Sequence, residues 1–154
     1  MGLTAADDDE FATFMLDAEP RLRRALVAAF GSQRGREATA ESLAWGWEHW
    51  TRVREMQNPV GYLYRVGRSR TRDRRRPVAF ERADAPDPWV EPHLGSALAG
   101  LSERQRLAVV LVHGFGWTLR EVAELAGIRV TSVQNHLERG LRHLRDALGG
   151  DERA

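Results

Sequence analysis

Apolar residues recur at steps of three and four from residue 118 onward, which is the spacing of one face of a helix. The run is interrupted at Gly127, where a tight turn needs a positive φ. Ala123 lies where two steeply crossing helices approach, and Val133 lies where a side chain is buried between them. The pattern predicts a helix-turn-helix. Its apolar positions are Val122, Leu125 and Ile128 in the first helix and Val133, Leu137, Leu141, Leu144 and Leu148 in the second.

Three helix starts in the same half of the chain carry the capping-box motif, in which side chains satisfy free backbone N–H groups. Two of the motifs begin the helices of the helix-turn-helix, and the third begins a helix that precedes it. A shorter helix is predicted before that one, near 95–99. The motifs are Thr118-x-x-Glu121, Thr131-x-x-Gln134 and Ser102-x-x-Gln105.

The first half of the chain predicts three more helices. One covers 8–30, where Pro20 should kink it or start a second helix. The next covers about 35–53, and the third begins at Asn58-Pro59, with Asn as N-cap, and continues until Pro77.

Residues 77–93 hold four of the six prolines and have no amphipathic period, so we read them as an extended linker. The sequence therefore predicts an all-α protein of two small helical domains, 8–76 and 94–149, joined by this Pro-rich linker.

The second helix of the helix-turn-helix offers residues suited to a DNA major groove. Gln134 and Asn135 can pair with adenine edges through their side-chain amides, whereas Arg129, Ser132 and the later arginines suit phosphate contacts. The alternative is a helical hairpin packed for stability, with polar residues that only face water. The candidate DNA-binding residues are Arg129, Thr131, Ser132, Gln134, Asn135, Arg139 and Arg142.

The third helix carries a row of arginines that fall within about a quarter-turn of one another. They repel one another unless an anion lies there, so their alignment favours nucleic acid over a solvated helix end. Tyr64 adjoins this face and could stack on an unpaired base. The aligned residues are Arg65, Arg68, Arg72, Arg75 and Arg76.

The second helix combines tryptophans with an acidic face formed by Glu37, Glu41, Glu48 and Trp45. Core packing explains at least two of the tryptophans. The partly apolar, acidic face is typical of a protein-docking surface.

Composition excludes several classes of function. The chain has no cysteine, and its five histidines show no metal-ligand spacing, so we expect no metal, no cofactor and no enzymatic activity. The formal charge of +1 averages an acidic start with a basic third helix. No signal peptide or membrane-length apolar run is present, so a cytoplasmic protein is expected.

Two segments resemble a known family. NPVGYLYRVGRSRTRDRRR resembles the promoter-melting helix in region 2 of the sigma-70 family, and LSERQRLAVVLVHGFGWTLREVAELAGIRVTSVQNHLERGLRHLR resembles region 4. The chain looks like an extracytoplasmic-function (ECF) sigma factor, in which a linker alone joins the two regions. The resemblance covers roughly 8–148. It departs from the family at Ala40, where glutamine is common, at Ser69, where asparagine is frequent, and at His136, where an apolar residue is usual.

The resemblance implies a role for each segment. The second helix would dock on core RNA polymerase, the helix-turn-helix would read the upstream promoter element, and the linker would enter the polymerase channel. An anti-sigma factor is a common partner in the family. The residues that the resemblance places at the downstream promoter element are Tyr64, Arg65, Arg68, Ser69, Arg72, Asp73, Arg75 and Arg76.

A second hypothesis is a free-standing regulator that binds operator DNA as a dimer, with 8–76 as a sensing or dimerisation domain. The arginine face of the third helix argues against it, since a dimerisation domain has no need of such a face.

Overall fold

The computed structural model describes residues 3–71, 78–80 and 92–149, and no strand occurs in these ranges. The all-α prediction is confirmed for them. None of the described helices is long and apolar enough to cross a membrane. The helices are α1 (Ala5–Phe30), α2 (Ser32–Glu48), α3 (Trp50–Val53), α4 (Pro59–Arg70), α5 (Leu94–Ala99), α6 (Glu103–Val109), α7 (Leu119–Ala126) and α8 (Val130–Gly149), with a π-helical turn, Val110–Gly114, after α6.

Helix α1 begins slightly earlier than predicted, because Thr4 and Asp7 form a capping box ahead of it. The hydrogen bonds from Thr4 lower the pKa of the Asp7 carboxyl. The helix then runs unbroken through Pro20 to Phe30, so a second helix starting at Pro20 was wrong. The proline removes one N–H bond to the carbonyl of Leu16, and Leu16 is 82% exposed, so water can reach the free acceptor.

Helix α2 starts directly after Gly31, and the predicted helix over 35–53 is divided at His49 into α2 and α3. The backbones of α1 and α2 approach closely at Gly35, where a Cβ would lie 2.5 Å from the backbone of Val27. The first half of α1, the end of α2 and the short helix α3 enclose an aromatic cluster of Phe11, Phe14, Trp47 and Trp50 with Val53. Trp47 and Trp50 therefore belong to the core, as the sequence suggested for two tryptophans.

Helix α4 begins as predicted, with the Asn58 side chain accepting a hydrogen bond from the Gly61 N–H at 3.1 Å. Gly67 packs it against the first two helices, since a Cβ there would lie 2.5 Å from Ser42 Oγ. The described helix ends at Arg70, and the predicted continuation over 72–76 lies outside the described residues.

In the second half, the capping boxes at Ser102 and Thr118 are confirmed. The third is wrong, because α8 begins at Val130 and Thr131 lies inside its first turn. The turn after Gly127 leaves only Ile128 and Arg129 ahead of the helix.

The two halves of the chain pack against each other. Leu26 and Leu63 from the first half and Leu107 and Leu111 from the second belong to one continuous hydrophobic cluster. Burying that apolar surface holds the halves together in this arrangement. The division into two domains at the linker stays a prediction, and most of the linker lies outside the described residues.

Candidate nucleic-acid interface

The helix-turn-helix is fixed at its turn by local hydrogen bonds. Gly127 adopts the left-handed conformation, with φ 69° and ψ 36°. Its N–H donates to the Ala123 carbonyl at 2.9 Å, and the Ile128 N–H donates to the same carbonyl at 3.1 Å. These two bonds satisfy a carbonyl that the end of α7 would otherwise leave free. The turn therefore has one defined geometry.

The inner faces of α7 and α8 are apolar, as predicted. Val122, Leu125 and Val133 are buried between them and belong to the main hydrophobic cluster. Further along α8, Gly140 lies so close to α6 that a Cβ would be 2.8 Å from Val109 Cγ2. Helix α8 therefore packs against both α7 and α6, and the opposite side of α8 faces solvent.

The predicted upstream-element residues lie together on that free face. Within α8 they fall in an arc of about 160°, opposite the buried Val133, Gly140 and Leu144. Ser132 is half-buried and Arg129 lies just before the helix. The exposed members are Arg129, Thr131, Gln134, Asn135, Arg139 and Arg142.

One further residue, Glu138, shares this face and was not predicted. It is exposed and stands one turn after Gln134. A carboxylate repels phosphate but accepts a hydrogen bond from the amino group of cytosine. Its spacing of four residues from Gln134 places it on the same helical face, so the sequence could have shown it.

His136 takes the position where an apolar residue was expected, and its ring is half-buried. Burial, together with the positive charges of Arg104 and Arg139, lowers the pKa of His136. The neutral imidazole is therefore favoured, which suits a position at the edge of the core.

The α4 residues are placed differently from the prediction. Tyr64 was expected at the surface, but its ring is only 3% exposed. Burial, with a smaller contribution from Glu103, raises the pKa of the Tyr64 hydroxyl. The ring belongs to the shared cluster of both halves, so it is not available for stacking on a base in this arrangement.

The neighbouring arginines contact the second half of the chain. Arg68 forms a forked ion pair with Glu103, with Nε to Oε1 at 2.6 Å and Nη2 to Oε2 at 3.3 Å. This bonding raises the pKa of Arg68. The Arg65 guanidinium lies against the turn, where a Cβ on Gly127 would be 2.9 Å from Nη2.

The rest of the downstream set is only partly described. Ser69 is exposed, and its hydroxyl donates to the Val66 carbonyl at 2.7 Å. The residues of this set that lie outside the described ranges are Arg72, Asp73, Arg75 and Arg76.

The predicted polymerase-docking residues share one face of α2. Glu37, Glu41 and Glu48 are exposed, and with Trp45 they fall within about a quarter-turn. Trp45 is half-buried and stacks on the His49 ring at a centroid distance of 4.1 Å. The result is an acidic strip with an aromatic edge. No cluster of three or more potential metal ligands occurs in the described ranges.

Comparison with known proteins finds a family match in the second half of the chain and a structural match over nearly all of it. Residues 94–144 match the family model described as sigma-70, region 4. Among solved structures, the chain is similar to the sigma factor RpoE of Bartonella quintana, crystallised in complex with the anti-sigma factor NepR. The two share 18% identity with a TM-score of 0.62, over 91% of this chain and 97% of that chain.

A comparison with curated proteins found no match. The structural likeness concerns the fold of nearly the whole chain, whereas the family match concerns the half that carries the helix-turn-helix. Both agree with the resemblance seen in the sequence. Residues 94–144 are therefore similar to sigma-70 region 4, and the chain as a whole shares the fold of that sigma factor.

Proposed function

We propose that the protein is an RNA polymerase sigma factor of the ECF type, which binds core polymerase, contacts two promoter elements and promotes transcription initiation. The observation that carries the proposal is the exposed face of α8 within a matched sigma-70 region 4. Such a factor acts in the cytoplasm with the polymerase, and the role requires no catalytic residue in this chain. The family match favours this role over a free-standing operator-binding regulator.

The upstream element is read by the first turns of α8. Gln134 and Asn135 present amides that can each form two hydrogen bonds with an adenine edge. Arg139 and Arg142 lie on the same exposed face and suit phosphate contacts, which fix the register of the helix without reading sequence.

The downstream element is contacted by α4 and the segment after it. Arg65 and Arg68 supply the positive charge within the described part, and Arg72, Arg75 and Arg76 continue it in sequence. Attraction between these arginines and the DNA phosphates adds affinity at a second site. Because both DNA-binding segments belong to one chain, binding at one promoter element strengthens binding at the other.

Core polymerase docks on the acidic strip of α2, formed by Glu37, Glu41, Trp45 and Glu48. An exposed acidic face with an aromatic edge is suited to a basic protein surface with an apolar centre. An anti-sigma factor is proposed as a further partner, because the similar RpoE was crystallised with one.

Fluorescence anisotropy of the labelled full chain with core polymerase tests the docking site. Glu41→Arg reverses a charge at the centre of the strip and should weaken binding roughly tenfold, which equals about 1.4 kcal/mol. Glu55→Arg makes the same change at an exposed position off the strip and should leave binding unchanged. Equal affinities for both variants would overturn the assignment of α2, and no binding by the unaltered chain would overturn the function itself.

A further inference from the structure

Glu138 is an acidic residue on a face of α8 whose other candidates for DNA contact are basic or neutral. It is exposed, and it lies four residues after Gln134 and four residues before Arg142. At about 3.6 residues per turn, its side chain leaves the helix in a direction between those of these two neighbours, roughly 40° from each. Glu138 therefore lies within the candidate DNA-binding arc and not beside it.

No contact within the protein accounts for this carboxylate. Arg142 follows Glu138 by four residues, which is the spacing and order that favour an ion pair on a helix. Helix α1 forms such a pair between Glu19 and Arg23 at 3.0 Å. Among the residues that the structure describes, however, Glu138 forms neither an ion pair nor a side-chain hydrogen bond. Its oxygens are therefore available to a hydrogen-bond donor outside the chain.

A carboxylate at this position opposes DNA binding unless a base offers it a hydrogen bond. Phosphate groups repel Glu138, whereas they attract Arg139 and Arg142 on the same face. The carboxylate therefore lowers the affinity of α8 for DNA in general. It returns affinity only at a sequence that places a donor on the base edge in front of it.

Cytosine is the base that suits a carboxylate best. Its N4 amino group is a donor in the major groove, and a carboxylate only accepts hydrogen bonds. Adenine also presents an amino group, but the N7 acceptor beside it repels the second carboxylate oxygen. Guanine presents the acceptors N7 and O6, and thymine presents the acceptor O4 and a methyl group. The chemistry of the base edges therefore favours cytosine over the other three bases.

We propose that Glu138 reads a cytosine in the upstream promoter element by accepting a hydrogen bond from its N4 amino group. The inference rests on the proposed function and names one base of the element that α8 contacts. At about 1.5 Å per residue, Glu138 lies roughly 6 Å along the helix axis from Gln134. Base pairs follow one another at about 3.4 Å, so the cytosine lies within about two base-pair steps of the base that Gln134 contacts.

Selection from a pool of promoter duplexes with a randomised upstream element tests the assignment. The protein is used as holoenzyme, reconstituted from the full chain and core RNA polymerase. The unaltered protein should prefer cytosine at one position about tenfold over the other bases. Glu138→Ala should lose this preference and keep the others. Glu138→Gln should change it to adenine, because an amide pairs with N6 and N7 of that base.

Asp146→Ala is the matched control, because it removes a carboxylate from an exposed position about two turns further along the same helix. It should select the same element as the unaltered protein, cytosine included. Alanine favours the helix, so neither variant should alter the fold. The affinity of Glu138→Ala for duplexes without the cytosine should rise, because a charge that repels phosphate is removed. A structural role for Glu138 would instead lower the affinity for every duplex.

Removal of one amino group from the DNA isolates the contact. The selected cytosine is replaced by 2-pyrimidinone, which lacks the 4-amino group. The unaltered holoenzyme should bind this duplex about tenfold more weakly, whereas Glu138→Ala should bind both duplexes equally. The assignment is overturned by an element without that cytosine, by equal binding of both duplexes to the unaltered holoenzyme, or by a cytosine preference that survives in Glu138→Ala. If the unaltered holoenzyme selected no element at all, the proposed function itself would be overturned.

Discussion

Replacing Arg106 by Met should strongly destabilise the protein, because this guanidinium joins its two halves. The residue is only 6% exposed. Its Nε donates to the Ala29 carbonyl at 3.0 Å, and its Nη1 donates to the carbonyls of Ala99 and Leu101. The Ala29 bond also places a cation at the C-terminal end of α1, where the helix dipole favours it.

The size of the effect follows from the groups left behind. The carbonyls of Ala29 and Leu101 belong to buried residues, and each acceptor left without a donor costs about 1–3 kcal/mol. Ala99 is half-buried, so water can hydrogen-bond to its carbonyl instead. Burial lowers the pKa of Arg106, which shows that its charge is costly to desolvate. Removing that charge therefore offsets part of the stability lost with the hydrogen bonds. We expect a net decrease of about 2–3 kcal/mol in the free energy of unfolding, or roughly 4–12 °C in Tm.

Urea titration followed by far-ultraviolet circular dichroism, with calorimetry for Tm, measures this change. Arg120→Met at an exposed position should alter stability by less than about 0.5 kcal/mol. Arg106→Lys should fall between the two, because an ammonium cannot reach the carbonyls on both sides as the guanidinium does. If Arg106→Met behaved like Arg120→Met, the guanidinium would not join the halves in solution and the packed arrangement would be refuted.

Three further predictions concern the interface and its support. Asn135→Ala should relax base preference at one upstream position by about 1–3 kcal/mol, measured by binding to a set of single-base promoter variants, and an unchanged preference would contradict its role as a base reader. Arg142→Ala should weaken binding of the polymerase complex to all promoters alike and reduce the slope of log affinity against log salt by about one, whereas a sequence-dependent loss would assign it to base contact. Gly67→Ala should destabilise the fold by about 1–3 kcal/mol in urea titration, because its Cβ meets Ser42 Oγ at 2.5 Å, while Gly95→Ala, with open space around it, serves as the control.

The helix-turn-helix could be predicted from sequence because its signals are local. The capping box at Thr118, the turn at Gly127 and the apolar repeat of α8 each lie within a few residues of the feature they specify. Thr131 shows the limit of such signals, because its capping-box motif predicts a helix that begins at Ser132, whereas α8 begins two residues earlier, at Val130. The apolar repeat of α8 marks its buried face, so the residues on the opposite side could be predicted to be exposed.

The packing between the two halves could not be predicted in this way. Arg68 and Glu103 are 35 residues apart, and Arg106 and Ala29 are 77 apart. The helical wheel placed Arg65 and Arg68 on one face of α4, but it could not show that both lie near the second half of the chain. Tyr64 was assigned to the surface for the same reason, since the tertiary contacts that bury it, in a hydrophobic cluster formed by both halves, cannot be read from one helix.

The central claim, that this chain is an initiation factor, is tested most directly by run-off transcription with core RNA polymerase on a library of genomic promoter fragments. The account predicts transcripts that depend on the added protein, start at discrete positions and share two sequence elements upstream of the start. Transcription no greater than that of core polymerase alone, together with tight binding of the free protein to a palindromic duplex, would contradict the claim and favour an operator-binding regulator.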